Sequence, residues 1–474
     1  MKVDFHDEEL TEQQEELKGN RSNKTYELAD VRTMTEQNAD IDYKILLALY
    51  EHRALTPIQI KKLYFPEKHE NSIRNRLRTL AKRKVLTVNV RFGAKTRPVH
   101  MYSLATFGLR IFVENVLQVR EYVPQLDEVK EHYTIDDLKV RHQHQHHYEL
   151  QEWLSEVLSK KYPELFHCEW RRLPFVEDDE NVYVKPDWVF IDVEKEVVEE
   201  RREDVANNPV LYPYFYRQEL FPDFSFECIL SVECDRGTMN RLELIEKWDR
   251  YRNLPEKYKP KAVVMFYYSH ASNNSDMRHR LIRESMAQSF ELEVVNNEVQ
   301  LFEGDANLTQ EIILTYFSRR EKLIAEEPMT DEQELMRFVE KQNEIDERRE
   351  ISLLDVSKTV ERFKLPVEPD AIILTSEDGK SSIQFVFYSL AGWVNPFIKV
   401  HVLRKWIDEG NLSIFDSINF VMLYPDHQFL KDIRPTNRDI YYVSYQEIQE
   451  LGVWGKAHIE QRRSRKVKWM EVQL

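Results

Sequence analysis

Two apolar stretches with embedded acids organise the middle of this chain: Val184-Lys185-Pro186-Asp187-Trp188-Val189-Phe190 and Phe226-Glu227-Cys228-Ile229-Leu230-Ser231-Val232-Glu233-Cys234-Asp235. Short runs rich in β-branched and aromatic residues are typical of buried strands. A helical segment with Lys247-Trp248 follows, and then another apolar run begins at Ala262. The sequence therefore predicts strands joined by a helix, with carboxylates on two of the strands.

A second set of segments repeats this order further along the chain. Its members are Val367-Glu368-Pro369-Asp370-Ala371-Ile372-Ile373, Ile383-Gln384-Phe385-Val386-Phe387-Tyr388-Ser389, Lys405-Trp406 and Phe420-Val421-Met422-Leu423-Tyr424. Order and strand character match those of the first set. The second set, however, has Phe387 and Ser389 at the positions of Glu233 and Asp235. The sequence predicts an internal repeat in which only the first version keeps its acidic cluster.

The acids of the first version indicate a metal site. Glu233 and Asp235 are two residues apart, so both side chains point to one face of a strand. Clustered carboxylates repel one another unless a cation lies between them, and Mg²⁺ takes oxygen ligands. We therefore predict that Asp187, Glu233 and Asp235 bind Mg²⁺ or Mn²⁺ for phosphodiester hydrolysis. Asp235 has an alternative, since it can hydrogen-bond to Arg236 or to the Thr238 hydroxyl.

Two further residues are candidates for catalysis. A nuclease of the Pro-Asp…Glu-x-Lys type uses a lysine to stabilise charge in the transition state, but Asp235 occupies the lysine position. Lys247 is the proposed replacement, because Leu244 and Tyr251 share its side of a helix. Glu149 is predicted to add a carboxylate that supports the metal ligands from the preceding helix, with Glu152 as the competing choice.

A histidine-rich segment starts the predicted helix over residues 141–160. The histidines are His142, His144, His146 and His147. Their spacing scatters them around a helix and no Cys or Asp partner adjoins them, so zinc is disfavoured. We expect either His146 or His147 to face the catalytic cleft.

Residues 41–110 predict three short helices and a hairpin, which is the pattern of a winged helix-turn-helix. Thr56 is the expected N-cap of the second helix, with Pro57 at its first position, and Asn71-Ser72 is expected to open the third. Such a module places its third helix in the major groove of DNA, although a role in protein contacts is an alternative. The predicted DNA-binding residues are Arg74, Arg76, Arg78, Lys82 and Arg83 on the third helix, with Lys95 and Arg97 in the hairpin loop.

Charge and composition agree with a nucleic-acid-binding module inside an acidic chain. The 474 residues carry a net charge of −16, but residues 41–104 hold 14 Lys/Arg against 4 Asp/Glu. Three cysteines, an N-terminus without an apolar signal segment and the absence of a long apolar run predict a cytoplasmic protein without a membrane span. No Gly-rich nucleotide-binding motif is present.

These patterns predict an α/β multidomain protein. A hairpin with Asn296-Asn297 as its turn is also expected near the end of the nuclease-like core. The predicted order is an acidic flexible arm (1–40), a winged helix (41–110), a connector (111–140), a PD-(D/E)xK-like nuclease core (141–305, with an insertion at 194–222), a charged helical spacer (306–364) and a degenerate nuclease-like domain (365–474).

Several motifs in this order resemble the replication-relaxation family, which includes the MobC-type plasmid relaxases and is similar to PD-(D/E)xK nucleases. They are Leu55-Thr56-x-x-Gln59-Ile60, the histidine-rich helix start, Lys185-Pro186-Asp187, Val232-Glu233-Cys234-Asp235-Arg236-Gly237-Thr238, and Lys247 with Tyr251. The resemblance covers residues 41–270. It implies metal-dependent nicking at a plasmid transfer origin, with Asp187, Glu233, Asp235 and Lys247 as the metal and catalytic group.

Three hypotheses follow. The first is a DNA-binding, metal-dependent nickase that acts on double-stranded plasmid or mobile-element DNA. The second is a catalytically inactive, sequence-specific DNA-binding protein, such as a replication initiator, regulator or accessory factor, on a nuclease-derived scaffold. The third is an assembly or defence component in which the second repeat and the spacer form a homodimer interface.

Overall fold

The computed structural model shows a mixed α/β protein that divides into two compact units. The first contains residues 1–234 and 254–259, and the second contains residues 235–253 and 260–474. The structure describes residues 39–92, 98–105, 144–159, 167–169, 184, 186–193, 226–237, 239–254, 256, 259–267, 275–314, 332–345, 349–430, 432, 440–452, 454, 456–463 and 466–473. Residues 1–38 of the predicted arm, the whole connector (111–140) and the insertion at 194–222 lie outside these residues.

Within the described part of the first unit, the first three helices are α1 (Ala39–His52), α2 (Pro57–Tyr64) and α3 (Glu70–Lys82). Thr56 caps α2 as expected, because its side chain accepts from the Gln59 backbone N–H while the Gln59 side chain accepts from the Thr56 N–H. Helix α3 starts one residue before the predicted Asn71, with His69 as its N-cap. Ile73, Leu77 and Leu80 of α3 are buried against the other two helices.

A three-stranded sheet with the order β1-β3-β2 completes this module. Its strands are β1 (Ala54–Leu55), β2 (Leu86–Phe92) and β3 (Pro98–Leu104), and β2 and β3 form the expected antiparallel hairpin. The loop with Lys95 and Arg97 lies outside the described residues. Three helices and a hairpin therefore occur in the predicted order.

The remainder of the first unit begins the first repeat. Helix α4 (His144–Ser159) is followed by β4 (His167–Glu169), β5 (Trp188–Val193) and β6 (Phe226–Asp235), whose last residue starts the second unit. Strand β5 pairs antiparallel with both β4 and β6. Trp188 and Phe190 of β5 are fully buried, which explains the apolar character of the stretch that follows Asp187.

The second unit completes the first repeat with α5 (Arg241–Arg252), β7 (Ala262–Tyr267), α6 (Ser275–Val295) and β8 (Gln300–Asp305). The hairpin predicted around Asn296-Asn297 is wrong. These residues form the turn that ends α6, where Asn297 has φ +56°, a left-handed conformation that asparagine tolerates after a helix. Strand β8 pairs parallel with β7.

The second repeat follows after a helical stretch that includes residues 306–314. Its elements are α7 (Glu332–Ile345), β9 (Arg349–Leu354), α8 (Val356–Phe363), β10 (Ala371–Glu377), β11 (Lys380–Tyr388), α9 (Asn395–Asp408), β12 (Ser417–Tyr424) and β13 (Ile440–Ser444). Helix α10 (Tyr445–Leu451) and the hairpin of β14 (Lys456–Arg463) and β15 (Lys466–Gln473) end the chain.

The strands of the second repeat belong to a seven-stranded sheet with the order β15-β14-β13-β12-β11-β10-β9. Strand β9 lies within the predicted spacer, yet it pairs with β10 along its length. Residues 349–354 are therefore part of the sheet, and the segment 306–364 is not purely a helical spacer. Among the described residues, no helix has the length and apolar composition to cross a membrane.

Three strand pairings in each repeat have the same directions in the same order. In the first repeat β4-β5 and β5-β6 are antiparallel and β7-β8 are parallel. In the second, β9-β10 and β10-β11 are antiparallel and β12-β13 are parallel. The two repeats differ in the connection between the second and third of these strands. Residues 194–225 separate β5 from β6 in the sequence, whereas Asp378-Gly379 alone joins β10 to β11, both with positive φ, as in a type I′ turn.

Candidate active site

Asp187 is held against strand β6 by two hydrogen bonds. Its backbone N–H donates to the Val232 carbonyl oxygen at 3.1 Å, and its Oδ2 accepts from the Cys234 N–H at 2.8 Å. These two bonds bracket Glu233, so the Asp187 carboxylate lies beside the backbone of the second acid. Asp187 and Glu233 are both buried, with 5% and 1% of the residue surface exposed. The structure therefore places the Asp187 carboxylate beside the backbone of the strand that carries Glu233, and both residues are buried; their shared role as metal ligands stays a prediction.

A histidine from α4 also reaches Asp187. The Nε2 atom of His146 lies 3.0 Å from Asp187 Oδ2, whereas His147 turns away and donates from Nε2 to the Ala54 carbonyl oxygen at 3.0 Å. The sequence left the choice between these two histidines open. Their adjacent positions on a helix point them in different directions, and only the fold assigns His146 to the acidic side.

Asp235 has a different environment, which belongs to the second unit. Its carboxylate forms a two-pronged ion pair with Arg278 of α6, with Nε–Oδ2 and Nη2–Oδ1 distances of 2.6 Å, and also accepts from the Gly237 N–H. Arg278 is therefore a partner that the sequence did not indicate, and Thr238, one of the two predicted alternatives, lies outside the described residues. A bidentate arginine neutralises a carboxylate, so charge at Asp235 is already balanced by the protein.

The two remaining catalytic candidates lie on helices. Lys247 is half-buried on α5, next to the buried Leu244 and Trp248, as its apolar neighbours in sequence indicated. Glu149 is buried on α4. Its competitor Glu152 faces α2 instead, where its Oε2 accepts from Gln59 Nε2 at 2.9 Å. The catalytic roles of Lys247 and Glu149 stay predictions.

The second repeat reproduces the hydrogen bonds of Asp187 at Asp370, but it lacks counterparts of Glu233 and Asp235. The Asp370 N–H donates to the Val386 carbonyl oxygen at 2.9 Å, and Asp370 Oδ2 accepts from the Tyr388 N–H at 2.7 Å. These bonds bracket Phe387, just as the equivalent bonds bracket Glu233. The correspondence predicted from sequence is thus met atom by atom, with Phe387 and Ser389 in place of Glu233 and Asp235.

The N-terminal module is packed onto the helix that carries His146. Helix α2 contacts α4 through Gln59 and through an ion pair between Lys62 and Glu156. His52 donates from Nδ1 to Gln151 Oε1 at 2.7 Å and stacks on Trp188, with ring centroids 5.0 Å apart. Burial lowers the pKa of His52 to about 4, so this histidine is neutral at pH 7.

The exposed face of α3 differs from the predicted list of basic residues. Arg76 forms a two-pronged ion pair with the buried Asp42, and Arg74 pairs with Glu70. Arg83 ends the helix as its C-cap and is half-buried. The side chains that form an exposed stripe at helical spacing are Asn71, Asn75, Arg78 and Lys82.

The prediction missed two functional candidates. Asn75 lies three residues before Arg78 on the exposed stripe, and its spacing would have revealed it. Asparagine amides can read adenine and arginine can read guanine in the major groove, so the amide belongs with the basic residues. Arg278 had no such signal, because it lies 43 positions from Asp235 in the chain and only the packing of α6 brings it close.

Residues 46–264 match the Replication-relaxation family. The match confirms the resemblance indicated by the motifs and covers the N-terminal module and the first repeat as far as β7. It supports a role connected with replication or relaxation of plasmid or mobile-element DNA. The second repeat lies beyond the matched residues. No curated protein and no solved structure matches the chain.

Proposed function

We propose that this protein is a DNA-binding, metal-dependent endonuclease that nicks plasmid or mobile-element DNA. The observation that carries the proposal is the pair of hydrogen bonds that bracket Glu233 and hold the Asp187 carboxylate beside it. Two buried acids at neighbouring positions of paired chain segments are unfavourable without positive charge nearby. The Replication-relaxation match of residues 46–264 supports the part of the proposal that concerns replication or relaxation of plasmid or mobile-element DNA.

The donor set fits a hard divalent cation. Asp187 and Glu233 would supply carboxylate oxygens, which Mg²⁺ and Mn²⁺ prefer. The Cys234 N–H and His146 both contact Asp187 Oδ2, so they fix the orientation of this carboxylate. A bound ion would polarise the phosphoryl group and lower the pKa of an attacking water. Asp235 is not included among the ligands, because Arg278 already neutralises it.

The N-terminal module would supply DNA binding as a winged helix. The exposed stripe of Asn71, Asn75, Arg78 and Lys82 on α3 offers two amides and two cations to a major groove. Arg76 instead stabilises the module through Asp42. Contacts between α2 and α4 place the module and the Asp187 region in one folded unit, as expected if binding and cleavage are coupled.

A nicking assay on supercoiled plasmid carrying the cognate origin tests the enzyme proposal. The wild-type chain should convert the substrate to open circles with Mg²⁺ or Mn²⁺, and chelator should stop the reaction. Asp187→Asn should abolish nicking, whereas Asp370→Asn, which changes the equivalent carboxylate of the second repeat, should leave it unchanged. Equal activity of wild type and Asp187→Asn would refute the proposed site.

The DNA-binding proposal has its own matched test. Arg78→Ala/Lys82→Ala removes two exposed charges at i,i+4 spacing from α3, and Lys358→Ala/Arg362→Ala removes two from α8 at the same spacing. Affinity for duplex DNA should fall at least tenfold in the first variant only. The slope of log affinity against log salt concentration should also become shallower, by about one unit per lost phosphate contact. Equal affinities of the two variants would exclude α3 as the DNA-binding helix.

A DNA-binding protein without nuclease activity is the second candidate. The observation that favours it is the ion pair of Asp235 with Arg278, which removes one acid from the cluster, together with the absence of lysine from the Glu-x-Lys position. Origin binding that persists in Asp187→Asn, with no metal-dependent nicking by the wild-type chain, would favour this function.

A further inference from the structure

Two histidines and a glutamate meet at the carboxyl end of the parallel strands in the second repeat. His427 starts a short 3₁₀ turn after β12, Glu447 lies in the first turn of α10 directly after β13, and His458 lies on β14. The ends of parallel strands are where ligand sites of α/β sheets are built. The three side chains belong to separate elements of the same unit, so the fold rather than local sequence brings them together.

The distances between the potential ligand atoms suit a tetrahedral ion. Glu447 Oε2 lies 3.0 Å from His458 Nε2 and 3.6 Å from His427 Nε2, and all three atoms lie within 4.8 Å of one another. Zinc binds histidine nitrogen and carboxylate oxygen at about 2.0–2.2 Å, which in a tetrahedron separates the ligands by about 3.4 Å. The observed distances fall on either side of that value.

Burial and donor chemistry further define the ion. The Glu447 and His458 side chains are 19% and 15% exposed, whereas His427 is 50% exposed. Two ligands are therefore held inside the fold and the third lies at the surface, where water can complete the coordination. Two imidazoles with one carboxylate suit Zn²⁺ and related transition ions, whereas Mg²⁺ prefers oxygen ligands alone.

We propose that His427, Glu447 and His458 form a binding site for a divalent transition-metal ion of the Zn²⁺ class. The ion would connect the turn after β12, helix α10 and strand β14. It would thereby stabilise the edge of the seven-stranded sheet that β14 and β15 form. The Glu447 backbone N–H donates to the Ser444 side chain at 3.2 Å, which anchors the helix turn that carries the carboxylate. This site is separate from the acids of the first repeat and does not depend on the proposed nuclease function.

Zinc titration of the tag-free, chelator-treated full chain tests the proposal, with Zn²⁺ alone competing against a chromophoric chelator. The wild-type chain should bind one equivalent that is lost, or weakened at least tenfold, in His427→Ala and Glu447→Gln. The half-exposed position of His427 makes its alanine variant the less disruptive of the two. His401→Ala, which removes an exposed histidine from α9, should bind Zn²⁺ like the wild type.

The histidine-rich segment at the start of α4 could also bind Zn²⁺, so His142→Ala/His144→Ala is the decisive companion variant. It should retain the equivalent that His427→Ala loses, and Asp187→Asn/Glu233→Gln should retain it as well. Zn²⁺ should also raise the melting temperature of the wild type but not that of His427→Ala. Unchanged Zn²⁺ affinity and stoichiometry in both His427→Ala and Glu447→Gln would overturn the proposal, as would loss of the equivalent in His142→Ala/His144→Ala alone.

Discussion

The two repeats hold an aspartate in the same way but surround it differently. Asp187 and Asp370 each donate and accept one hydrogen bond across the neighbouring strand, at matching positions. Between the bonded residues lies Glu233 in one repeat and Phe387 in the other. The comparison shows that the Pro-Asp turn is a structural device of the fold, and that the second carboxylate distinguishes a candidate metal site from a simple strand connection.

The strand that follows each aspartate also ends differently. Beyond β11, the Gly392 carbonyl oxygen accepts from the Glu303 N–H of β8 at 2.8 Å, and Asn395 bonds to Val299 and Leu301. Nearby, Arg283 of α6 forms ion pairs with Glu303 and Asp432, and Tyr424 donates to Asp432. The end of β11 therefore serves as packing surface for β8, whereas the end of β6 carries acids.

The largest expected effect separates the acids of the two repeats. Glu233→Gln should lower plasmid nicking about a thousandfold, since it removes a proposed metal ligand at the reacting phosphate. Asp370→Asn in the second repeat is the matched control and should change nicking less than twofold. Similar losses in both variants would show that the acids of the first repeat have no special role in nicking.

Stability should depend most on the buried ion pairs beyond β11. Arg283→Met leaves Glu303 and Asp432 buried without their cation, which should lower the free energy of unfolding by about 3 kcal/mol or more. Urea unfolding of the full chain measures the change. Arg280→Met on the same helix is the control, with an expected loss below about 1 kcal/mol. A small effect of Arg283→Met would mean that this end of β11 does not stabilise the unit.

Acid should act on the first unit through His52, which stacks on the residue after Asp187. The pKa of His52 is about 4 in the folded protein and 6.5 ordinarily. The unfolded chain therefore binds a proton at this histidine at a higher pH than the folded protein does. The free energy of unfolding keeps its full value above pH 6.5 and decreases as the pH falls toward 4. Between pH 7.5 and pH 5 the loss should be about 2 kcal/mol.

Urea midpoints at the two pH values measure this contribution. His52→Gln should weaken the dependence of unfolding free energy on pH, although it also lowers stability at neutral pH. His401→Gln, which alters an exposed histidine, should retain the wild-type dependence. The assignment to His52 is wrong if His52→Gln and the wild type lose equal stability on acidification.

The smallest expected effect tests the close approach of Gly392 to β8. Gly392 has φ +85°, and a Cβ there would lie 2.8 Å from the Glu303 carbonyl oxygen, whereas Gly410 has φ +94° with no atom within 4 Å. Both alanine variants should lose stability through the backbone conformation. Gly392→Ala should lose about 1 kcal/mol more, as measured by urea unfolding, and equal losses would show that the contact with β8 can yield.

The sequence predicted what depends on local pattern. The N-cap at Thr56 with Pro57 at the first helical position, the strand with Glu233 and the alignment of Glu233 with Phe387 all follow from residue spacing and apolar periodicity. Strand β9 was missed, because a short half-exposed strand in a charged segment has no distinctive periodicity. The turn at Asn296-Asn297 was misassigned because asparagine favours both hairpin turns and helix ends.

The parts of the site that were not predicted depend on distant contacts. Arg278 pairs with Asp235 and Asp42 pairs with Arg76 across separations of 43 and 34 residues. Nothing in the sequence around an arginine tells whether it will face DNA or a buried carboxylate. The exposed stripe on α3 was only partly recognised for the same reason, because the prediction counted basic residues rather than the positions that share a face.

The burial of Phe387 limits which side chains this strand position can accept. Phe387 is 1% exposed and packs among apolar residues of the second repeat, including Ile383 and Phe385. Glutamate at this position would place a charge in this apolar environment at a cost of several kcal/mol, before any cation could compensate. A carboxylate at residue 387 would therefore require changes among the apolar neighbours as well, so a single substitution should not create a second acidic site.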